Sequence, residues 1–290
     1  IFNMRQSNID VGSSSPLVSR EHAAIQVLGT PSNRVVFTGF RDSEFKENAV
    51  IYDLKGPLTQ ARVTDVVAAA LVGTLDTIGS AQSVTLSSDG ITAYVADPSA
   101  GLHIVNVSDP KNASLLKTVP IPGGTAVEVA LSSDGDTAYV AASAGGLQVI
   151  DVSNPAIASV IGSVPMPGGN AVGVVLSSDD TTAYVADSLG GLQIIDITDL
   201  AAPGIPTIVP TAGVALAVTL SNDGLTAYVA DSDAGLQIID LATAAVIGTV
   251  DTAGTAVSVT LSDDGLTAYV ADGSYGLQVI DVTDPASASM

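Results

Sequence analysis

Cysteine is absent from the 290 residues of this chain, which excludes disulfide bonds, thiolate metal sites and thiol nucleophiles. A chain without cysteine suits the cytosol, and it equally suits bacterial secreted proteins that do not rely on disulfides. Histidine occurs only twice, as His22 and His103. A GxSxG nucleophile elbow is also missing, so no sequence motif points to serine hydrolase chemistry.

Basic residues are scarce, and none follows Lys117. The chain has 9 Lys and Arg against 30 Asp and Glu, a formal net charge of −21. Such a charge repels phosphate backbones and anionic lipid headgroups, so nucleic acid is excluded as a partner and membrane surfaces are disfavoured. An acidic surface of this kind suits a salty or calcium-rich exterior.

The few basic residues are concentrated near the start of the chain. Seven of them lie before residue 63: Arg5, Arg20, Arg34, Arg41, Lys46, Lys55 and Arg62. This asymmetry has two interpretations, which we weigh equally. Either the first part of the chain docks onto a partner or another domain, or it only anchors the closure of the fold.

Uninterrupted apolar runs of membrane-spanning length are also lacking. Two charge-free runs, 152–178 and 200–222, are broken by Pro and Gly, and we predict strands and turns there rather than membrane insertion. No signal peptide is visible, and the chain opens at Ile1 rather than Met. We therefore expect it to be an excised or processed part of a longer polypeptide.

The main positive feature of the sequence is an internal repeat. The segment TAYVA recurs with its Tyr at intervals of 41 to 45 residues, as Tyr94, Tyr139, Tyr184, Tyr228 and Tyr269. An eroded copy precedes these five and places Phe37 in the same column. A period of this length is typical of β-propeller blades, each built from four short antiparallel strands.

Each copy reads as four strands with defined turns. The first three strands of the last copy are AVSVTLS (256–262), TAYVAD (267–272) and LQVID (277–281), and the fourth strand of the preceding copy is AVIGTV (245–250). AVSVTLS alternates small and bulky residues, as expected of a strand with two different faces. Asp264-Gly265 supplies the positive φ angles of a tight hairpin. A short variable loop then ends at a constant glycine, here Gly276. We find no helical period over a useful length.

These copies predict an all-β chain that forms one domain, a β-propeller of six four-stranded blades over residues 1–290. Residues 22–76 form a divergent first blade and 77–290 five regular repeats. The last copy stops where its fourth strand should begin. We predict that a strand from the leader 1–20, around residues 2–11, joins the last blade and removes an exposed sheet edge. A longer parent chain would allow more blades.

The repeat resembles a known family. GLHIVNVSDP (101–110), GLQVIDVSNP (146–155), GLQIIDITDL (191–200) and GLQVIDVTDP (276–285) are similar to the LVIVD repeat of bacterial and archaeal surface proteins. They resemble the YVTN propeller repeat more distantly. The resemblance implies a propeller in a secreted or cell-surface protein, with the periplasm as an alternative, often beside other modules. It implies no catalytic motif, so it supplies no active-site residues.

One recurring carboxylate is a candidate ligand. The Asp that closes TAYVAD appears as Asp97, Asp187, Asp231 and Asp272, and is replaced by Ala142 in one copy. These residues could form a crown that binds Ca²⁺ or a polyhydroxylated ligand. The alternative, which we favour, is that each carboxylate accepts backbone N–H groups within its loop. Specificity would then come from the variable loop residues Asp233, Tyr275 and Leu189.

Two further sets of residues have competing interpretations. The second Asp column, which includes Asp151 and Asp281, precedes a turn, and we predict that it caps that turn. Glu128 is the odd residue of the innermost strand column and could bind Ca²⁺ or act as a base. Because its column holds Ser, Gly and Ala in the regular copies and Gln26 in the first blade, with no convergent set of carboxylates, we predict no catalytic residue. His103 replaces a recurrent Gln, and we predict that it lies at a surface strand position.

Three functions remain open at this point. The first is a non-enzymatic scaffold that contacts a protein partner or other domains of a larger polypeptide. The second is a calcium-dependent module that binds a glycan or another ligand through the Asp97, Asp187, Asp231 and Asp272 face. The third is a lactonase-like hydrolase that uses the channel. The sequence predicts no obligatory cofactor, and Ca²⁺ enters only with the second function.

Overall fold

The computed structural model describes residues 25–28, 34–40, 48–54, 71–77, 79–166 and 169–288. These residues form short antiparallel sheets joined by turns. The first sheet contains β1 (Ile25–Leu28), β2 (Arg34–Phe40) and β3 (Asn48–Leu54). The predicted leader 1–20, with its closing strand, and residues 55–70 of the divergent first blade lie outside the described residues.

The next four sheets have four strands each, in chain order. They are β4 (Ser83–Leu86), β5 (Thr92–Asp97), β6 (Gly101–Asn106) and β7 (Ser114–Val119); β8 (Glu128–Leu131), β9 (Thr137–Ala141), β10 (Leu147–Asp151) and β11 (Ser159–Val164); β12 (Ala171–Leu176), β13 (Thr182–Asp187), β14 (Gly191–Asp196) and β15 (Thr207–Val209); β16 (Ala217–Leu220), β17 (Thr226–Ala230), β18 (Leu236–Asp240) and β19 (Ala245–Val250). The last described sheet has β20 (Ser258–Leu261), β21 (Thr267–Ala271) and β22 (Leu277–Asp281).

The two central strands of the four-stranded sheets are mostly buried. In β9 all five residues of TAYVA are buried, whereas the outer strand β11 alternates between exposed and covered positions. Register pairs Tyr139 with Val149 on the next strand. A strand that is buried on both faces needs small and bulky apolar residues at every position, which TAYVA supplies.

Neighbouring sheets pack through one repeated apolar contact. The Tyr of one sheet joins a core with residues of the following sheet, so that Tyr228 clusters with Ala268 and Ile280. Tyr139 clusters in the same way with Ala183 and Ile195. The innermost strands β4, β8, β12, β16 and β20 contact each other in that order. The molecule is therefore an all-β propeller, as predicted.

The hairpin turns form where the sequence predicts them, and in one of them the residue with positive φ is not glycine. Glycines with φ near +70° stand at the turns after β4, β8, β16 and β20, as the Asp-Gly pairs predict. In the hairpin after β12 the same place is taken by Asp180, with φ 56°. Asp180 is thus a non-glycine residue in a left-handed conformation, which Asp tolerates better than most residues.

Hydrogen bonds between sheets fall at two interfaces in the described part of the chain. Ser143 and Ala171 exchange backbone hydrogen bonds between the β8–β11 and β12–β15 sheets. Ser232 and Ala256 do the same between the β16–β19 and β20–β22 sheets. The other described interfaces between four-stranded sheets are held by apolar packing.

The outer edge of the last sheet is open in the described residues. Leu277 and Val279 on β22 are 57% and 53% exposed, whereas the equivalent Leu236 and Ile238 on β18 are fully buried. The predicted pairing of the leader with this edge therefore concerns residues outside the described part. Within the described residues we also find no helix with the length and apolar character needed to cross a membrane.

Candidate functional site

One end of the propeller collects the variable loops. In each sheet, the loop after the second strand and the link that enters the first strand lie at the same end of the strands, because neighbouring strands are antiparallel. We call this end the loop face, and define it by the loops after β5, β9, β13, β17 and β21 together with the links before β4, β8, β12, β16 and β20. The candidate carboxylates Asp97, Asp187, Asp231 and Asp272 all lie on it.

Two of these carboxylates hold the link of their own sheet. Asp231 accepts hydrogen bonds from the Thr211 hydroxyl (2.7 Å) and from the Gly213 amide (2.7 Å). Asp231 is fully buried, and burial raises its pKa although both hydrogen bonds oppose the shift. Asp272 repeats the arrangement with Thr252 and Gly254. In both sheets the Asp fixes the path by which the chain enters the innermost strand.

The link needs glycine at the position that donates to the Asp. A Cβ atom added to Gly213 would lie 2.2 Å from the backbone oxygen of Asp231, closer than any real contact. A glycine stands 18 residues before the carboxylate in both hydrogen-bonded pairs. The sequence analysis missed this column, and its fixed spacing to the Asp column is the signal that would have revealed it.

Asp97 has a different set of neighbours. Its carboxylate accepts the Ser99 amide (2.8 Å) within its own loop, as the loop-capping alternative predicts. Its other oxygen lies 3.5 Å from Nε2 of His103. The predicted surface position of His103 is wrong, because this side chain is only 3% exposed and its Nδ1 contacts the Thr118 hydroxyl at 2.9 Å. The same column is buried in other sheets, where Gln148, Gln193 and Gln237 are at most 3% exposed.

Asp187 is also fully buried, and the neighbouring Gln column helps to hold its loop. The Nε2 group of Gln193 lies 3.4 Å from an Asp187 oxygen and donates to the backbone oxygen of Gly190 at 3.1 Å. Gln148 and Gln237 donate to the equivalent loop carbonyls. All four Asp side chains of the column are therefore enclosed, and ligand binding by them stays a prediction.

The variable loop residues are the accessible part of the loop face. Tyr275 is 60% exposed and Leu189 is 73% exposed. Asp233 is exposed and accepts a hydrogen bond from the Thr255 hydroxyl of the next sheet at 3.2 Å. These three side chains, rather than the Asp column, offer surface to a ligand or partner.

Glu128 lies on the innermost strand β8 and bridges two sheets. Its Oε2 atom accepts a hydrogen bond from the backbone N–H of Val174 on β12, at 2.8 Å. Gly173 leaves room for the carboxylate, since a Cβ there would lie 3.2 Å from Oε2. Burial raises the pKa of Glu128 to about 7, and the hydrogen bond only partly opposes this. In the described residues no group of three or more acidic or His side chains could hold a metal ion.

The second Asp column caps turns, as predicted. Asp151 accepts hydrogen bonds from the hydroxyl and amide of Ser153, and Asp281 accepts the amide of Thr283. These bonds lower the pKa of both carboxyls. Asp151 and Asp281 thus stabilise the turns that follow β10 and β22.

Comparison with known proteins gives a family match and a fold match. The LVIVD repeat matches residues 78–119, 123–165, 168–211, 213–245 and 253–290. No curated protein sequence matches the chain. Similar solved structures share 16–17% sequence identity with it, a level that shows the fold alone.

Three of these structures illustrate how far the shared fold extends. A periplasmic gluconolactonase from Pseudomonas aeruginosa has a TM-score of 0.71 at 17% identity, over 86% of this chain and 78% of the other. A protein of unknown function from Desulfotomaculum acetoxidans DSM 771 has a TM-score of 0.68 at 17% identity, over 89% and 82%. Hydrazine synthase from Kuenenia stuttgartiensis has a TM-score of 0.67 at 16% identity, over 88% and 76%.

Proposed function

Because this chain belongs to the LVIVD repeat family, we propose that it is a non-enzymatic β-propeller scaffold of a secreted or cell-surface prokaryotic protein. Its task is to contact a protein partner or further domains of a larger polypeptide. The net charge of −21 supports an extracellular location. No cofactor is part of this proposal.

The observation that carries the proposal is the apolar outer surface of the sheets. The outermost strands expose large aliphatic side chains by 37–47%: Leu115 and Leu116 on β7, Ile161 on β11, and Ile208 on β15, with Val246 and Ile247 on β19 exposed by 38%. Each of these strands is also the edge of its sheet, so its outer backbone groups are free to pair. Exposed apolar residues on free edges favour contact with another protein chain.

The proposal is tested by sedimentation velocity over a series of salt concentrations. Repulsion between negatively charged copies weakens as salt screens it, so the wild-type chain is expected to assemble at high salt. A variant with Leu116→Glu, Ile161→Glu and Ile247→Glu should remain monomeric. The control variant Leu189→Glu makes the same kind of change on the loop face, where Leu189 is exposed, and should still assemble. A wild-type chain that is monomeric at every salt concentration argues against self-assembly.

A calcium-dependent module that binds a glycan is the second candidate. It is supported by the exposed Asp233, Tyr275 and Leu189 on the loop face, and it would use the nearby Asp column. A ligand that binds only the folded state must raise the melting temperature. A melting curve that is the same with millimolar Ca²⁺ and with a chelator removes the calcium-dependent candidate.

A lactonase-like activity has narrower support. It comes from Glu128, whose pKa of about 7 suits a general base, and from a fold shared with a protein described as a gluconolactonase. The test is hydrolysis of sugar lactones by the wild type and by Glu128→Ala. Equal rates above the uncatalysed reaction exclude Glu128 as the base.

A further inference from the structure

The two charge-free runs of the sequence meet on the outer rim of the molecule, which is formed by the outermost strands and the turns before them. The first run, 152–178, contains β11, and the second, 200–222, contains β15. These are the outermost strands of two neighbouring sheets. An added Cβ on Gly162 would lie 2.1 Å from the backbone oxygen of Leu200, so the two runs touch across the sheet interface. Part of the rim is therefore free of charge, with Asp199 at its border, although the chain carries a net charge of −21.

Four exposed isoleucines lie in this part of the rim, and we call them the rim patch: Ile157, Ile161, Ile205 and Ile208. Their exposed fractions are 73%, 37%, 94% and 45%. Ile157 ends the short turn before β11, Ile161 lies on β11, and Ile208 lies on β15. Large aliphatic side chains that are exposed on neighbouring elements favour contact with another protein surface.

The rim carries different charges on the two sides of the patch. After residue 62 the chain contains two Lys or Arg residues, Lys111 and Lys117, and both lie on the rim of the preceding β4–β7 sheet. That rim touches the patch, because β7 contacts the turn Pro155–Ile157. On the other side lies the β16–β19 sheet, where the exposed Asp251 follows the outer strand β19. The rim before the patch thus carries two Lys against Asp109, whereas the rim after it has no basic residue.

A two-fold axis through the rim patch brings unlike charges together. The four sheets follow one another around the molecule in chain order. Half a turn about an axis perpendicular to the rim therefore places β11 of one copy on β15 of the other, and the β4–β7 rim of one copy beside the β16–β19 rim of the other. Because the strands of the two copies then run in opposite directions, the end of β7 near Lys111 meets the end of β19 near Asp251. Apolar contact forms at the centre, with an attractive pair of charges at each border.

We propose that the rim patch binds the same patch of a second copy of this chain and forms a two-fold symmetric dimer. This inference rests on the proposed scaffold function, since it names the partner and the part of the outer surface that binds it. Two copies repel each other over most of their acidic surface, so they approach most readily where the contact is uncharged and its borders carry opposite charges. A contact between identical patches closes at two copies and forms no filament.

Sedimentation velocity of two double variants tests the location of the contact. The wild-type chain is expected to form dimers once salt screens the general repulsion between copies. Ile157→Glu with Ile205→Glu places carboxylates in the rim patch and should remain monomeric under the same conditions. Leu225→Glu with Leu266→Glu is the matched control, because it makes a similar change at exposed positions in hairpin turns away from the rim, and it should still dimerise.

The outcomes separate this inference from the scaffold function on which it rests. A patch variant that still assembles like the wild type overturns the inference and leaves the scaffold function standing, because another surface then makes the contact. Wild-type assemblies larger than a dimer also overturn the two-fold arrangement alone. A wild-type chain that is monomeric at every salt concentration counts against both.

Exchange of the border charges then tests the two-fold arrangement, at the lowest salt concentration at which the wild type dimerises. Lys111→Glu and Asp251→Lys should each raise the Kd of the dimer by about tenfold, and the double variant should restore the wild-type value. Asp251→Lys is the decisive variant, because it lowers the net negative charge and would strengthen a dimer that only general repulsion opposes. A dimer that is tighter in Asp251→Lys than in the wild type, or a double variant no tighter than the single ones, overturns the proposal.

Discussion

At the residue scale, the buried Asp column shows that a carboxylate can be repeated for structural reasons. Asp231 accepts hydrogen bonds from the hydroxyl of Thr211 and the amide of Gly213, one on each carboxylate oxygen. Charged acceptors make stronger hydrogen bonds than neutral ones, which helps to offset the cost of burying the carboxylate.

Removal of this carboxylate should destabilise the chain. Asp231→Ala leaves a partly buried hydroxyl and a partly buried amide without this acceptor, and we expect a loss of about 2 kcal/mol in the free energy of unfolding. Urea denaturation measures the loss. Asp233→Ala, two residues away at an exposed position, is the matched control and should change stability by less than about 0.5 kcal/mol. Equal effects of the two substitutions would contradict the role assigned to Asp231.

Glu128 should make stability depend on pH in a specific window. Its folded pKa of about 7 lies above its usual value of 4.5. The folded state therefore holds the proton more tightly, and this contribution to stability is lost as pH rises from about 4.5 through about 7. Glu128→Gln keeps an acceptor for the Val174 amide and has no charge to bury.

The difference in the free energy of unfolding between wild type and Glu128→Gln reports on Glu128 alone, because the two proteins share all their other carboxyl groups. The variant and the wild type should be about equally stable near pH 4.5, and the variant should be more stable, by on the order of 2 kcal/mol, near pH 8. Urea unfolding of both proteins across this range provides the comparison. A stability difference that does not change with pH would contradict a raised pKa of Glu128 in the folded state.

At the element scale, close contact between sheets depends on glycine in some outer strands. Gly162 on β11 faces the backbone oxygen of Leu200 in the next sheet, and an added Cβ would lie 2.1 Å from it. Gly73 and Gly248 approach Pro110 and Pro285 in the same way. The corresponding position of β15 carries Thr207, which is exposed.

A methyl group at this position should push two sheets apart. Gly162→Ala is expected to lower the free energy of unfolding by about 2 kcal/mol, since overpacking exceeds the entropy gained by replacing glycine. Thr207→Ala is the control at the equivalent position and should be nearly neutral. Both are measured by thermal and urea unfolding. A neutral Gly162→Ala would mean that the sheets adjust freely at this contact.

The strands and hairpins could be predicted from the sequence because their signals are local. TAYVAD and LQIID carry strand-forming residues, and the Asp-Gly pairs carry the turn, within a few residues of one another. The burial of His103 and the link held by Asp231 could not be read in this way. They depend on residues that are 15 to 20 positions apart and meet only when the sheet is formed.

The candidate site was predictable only in outline. The loop positions of Asp233 and Tyr275 followed from the repeat, and both are exposed as expected of a variable loop. The contact of Asp180, in the hairpin after β12, with Ser133 of the neighbouring sheet was not predicted, because it spans 47 residues and forms only when two sheets pack together.

At the scale of the whole molecule, net charge opposes compactness. The chain carries 30 acidic and 9 basic residues, and most of the described surface therefore repels itself. Sodium chloride screens this repulsion, so the melting temperature should rise by several degrees between about 0.01 M and 0.5 M salt. Sucrose that matches the osmolality serves as the control for general solvent effects. A flat response to salt would show that the charges are spaced too far apart to matter.

The uneven hydrogen bonding between sheets has a mechanical consequence. In the described residues, hydrogen bonds cross the sheet interfaces at β8–β12 and β16–β20, whereas the interfaces at β4–β8 and β12–β16 are held by apolar side chains. The interfaces between sheets are therefore not expected to be equally stable. Under force or on heating, we expect the β4–β8 and β12–β16 interfaces to separate first, so that the sheets come apart in pairs.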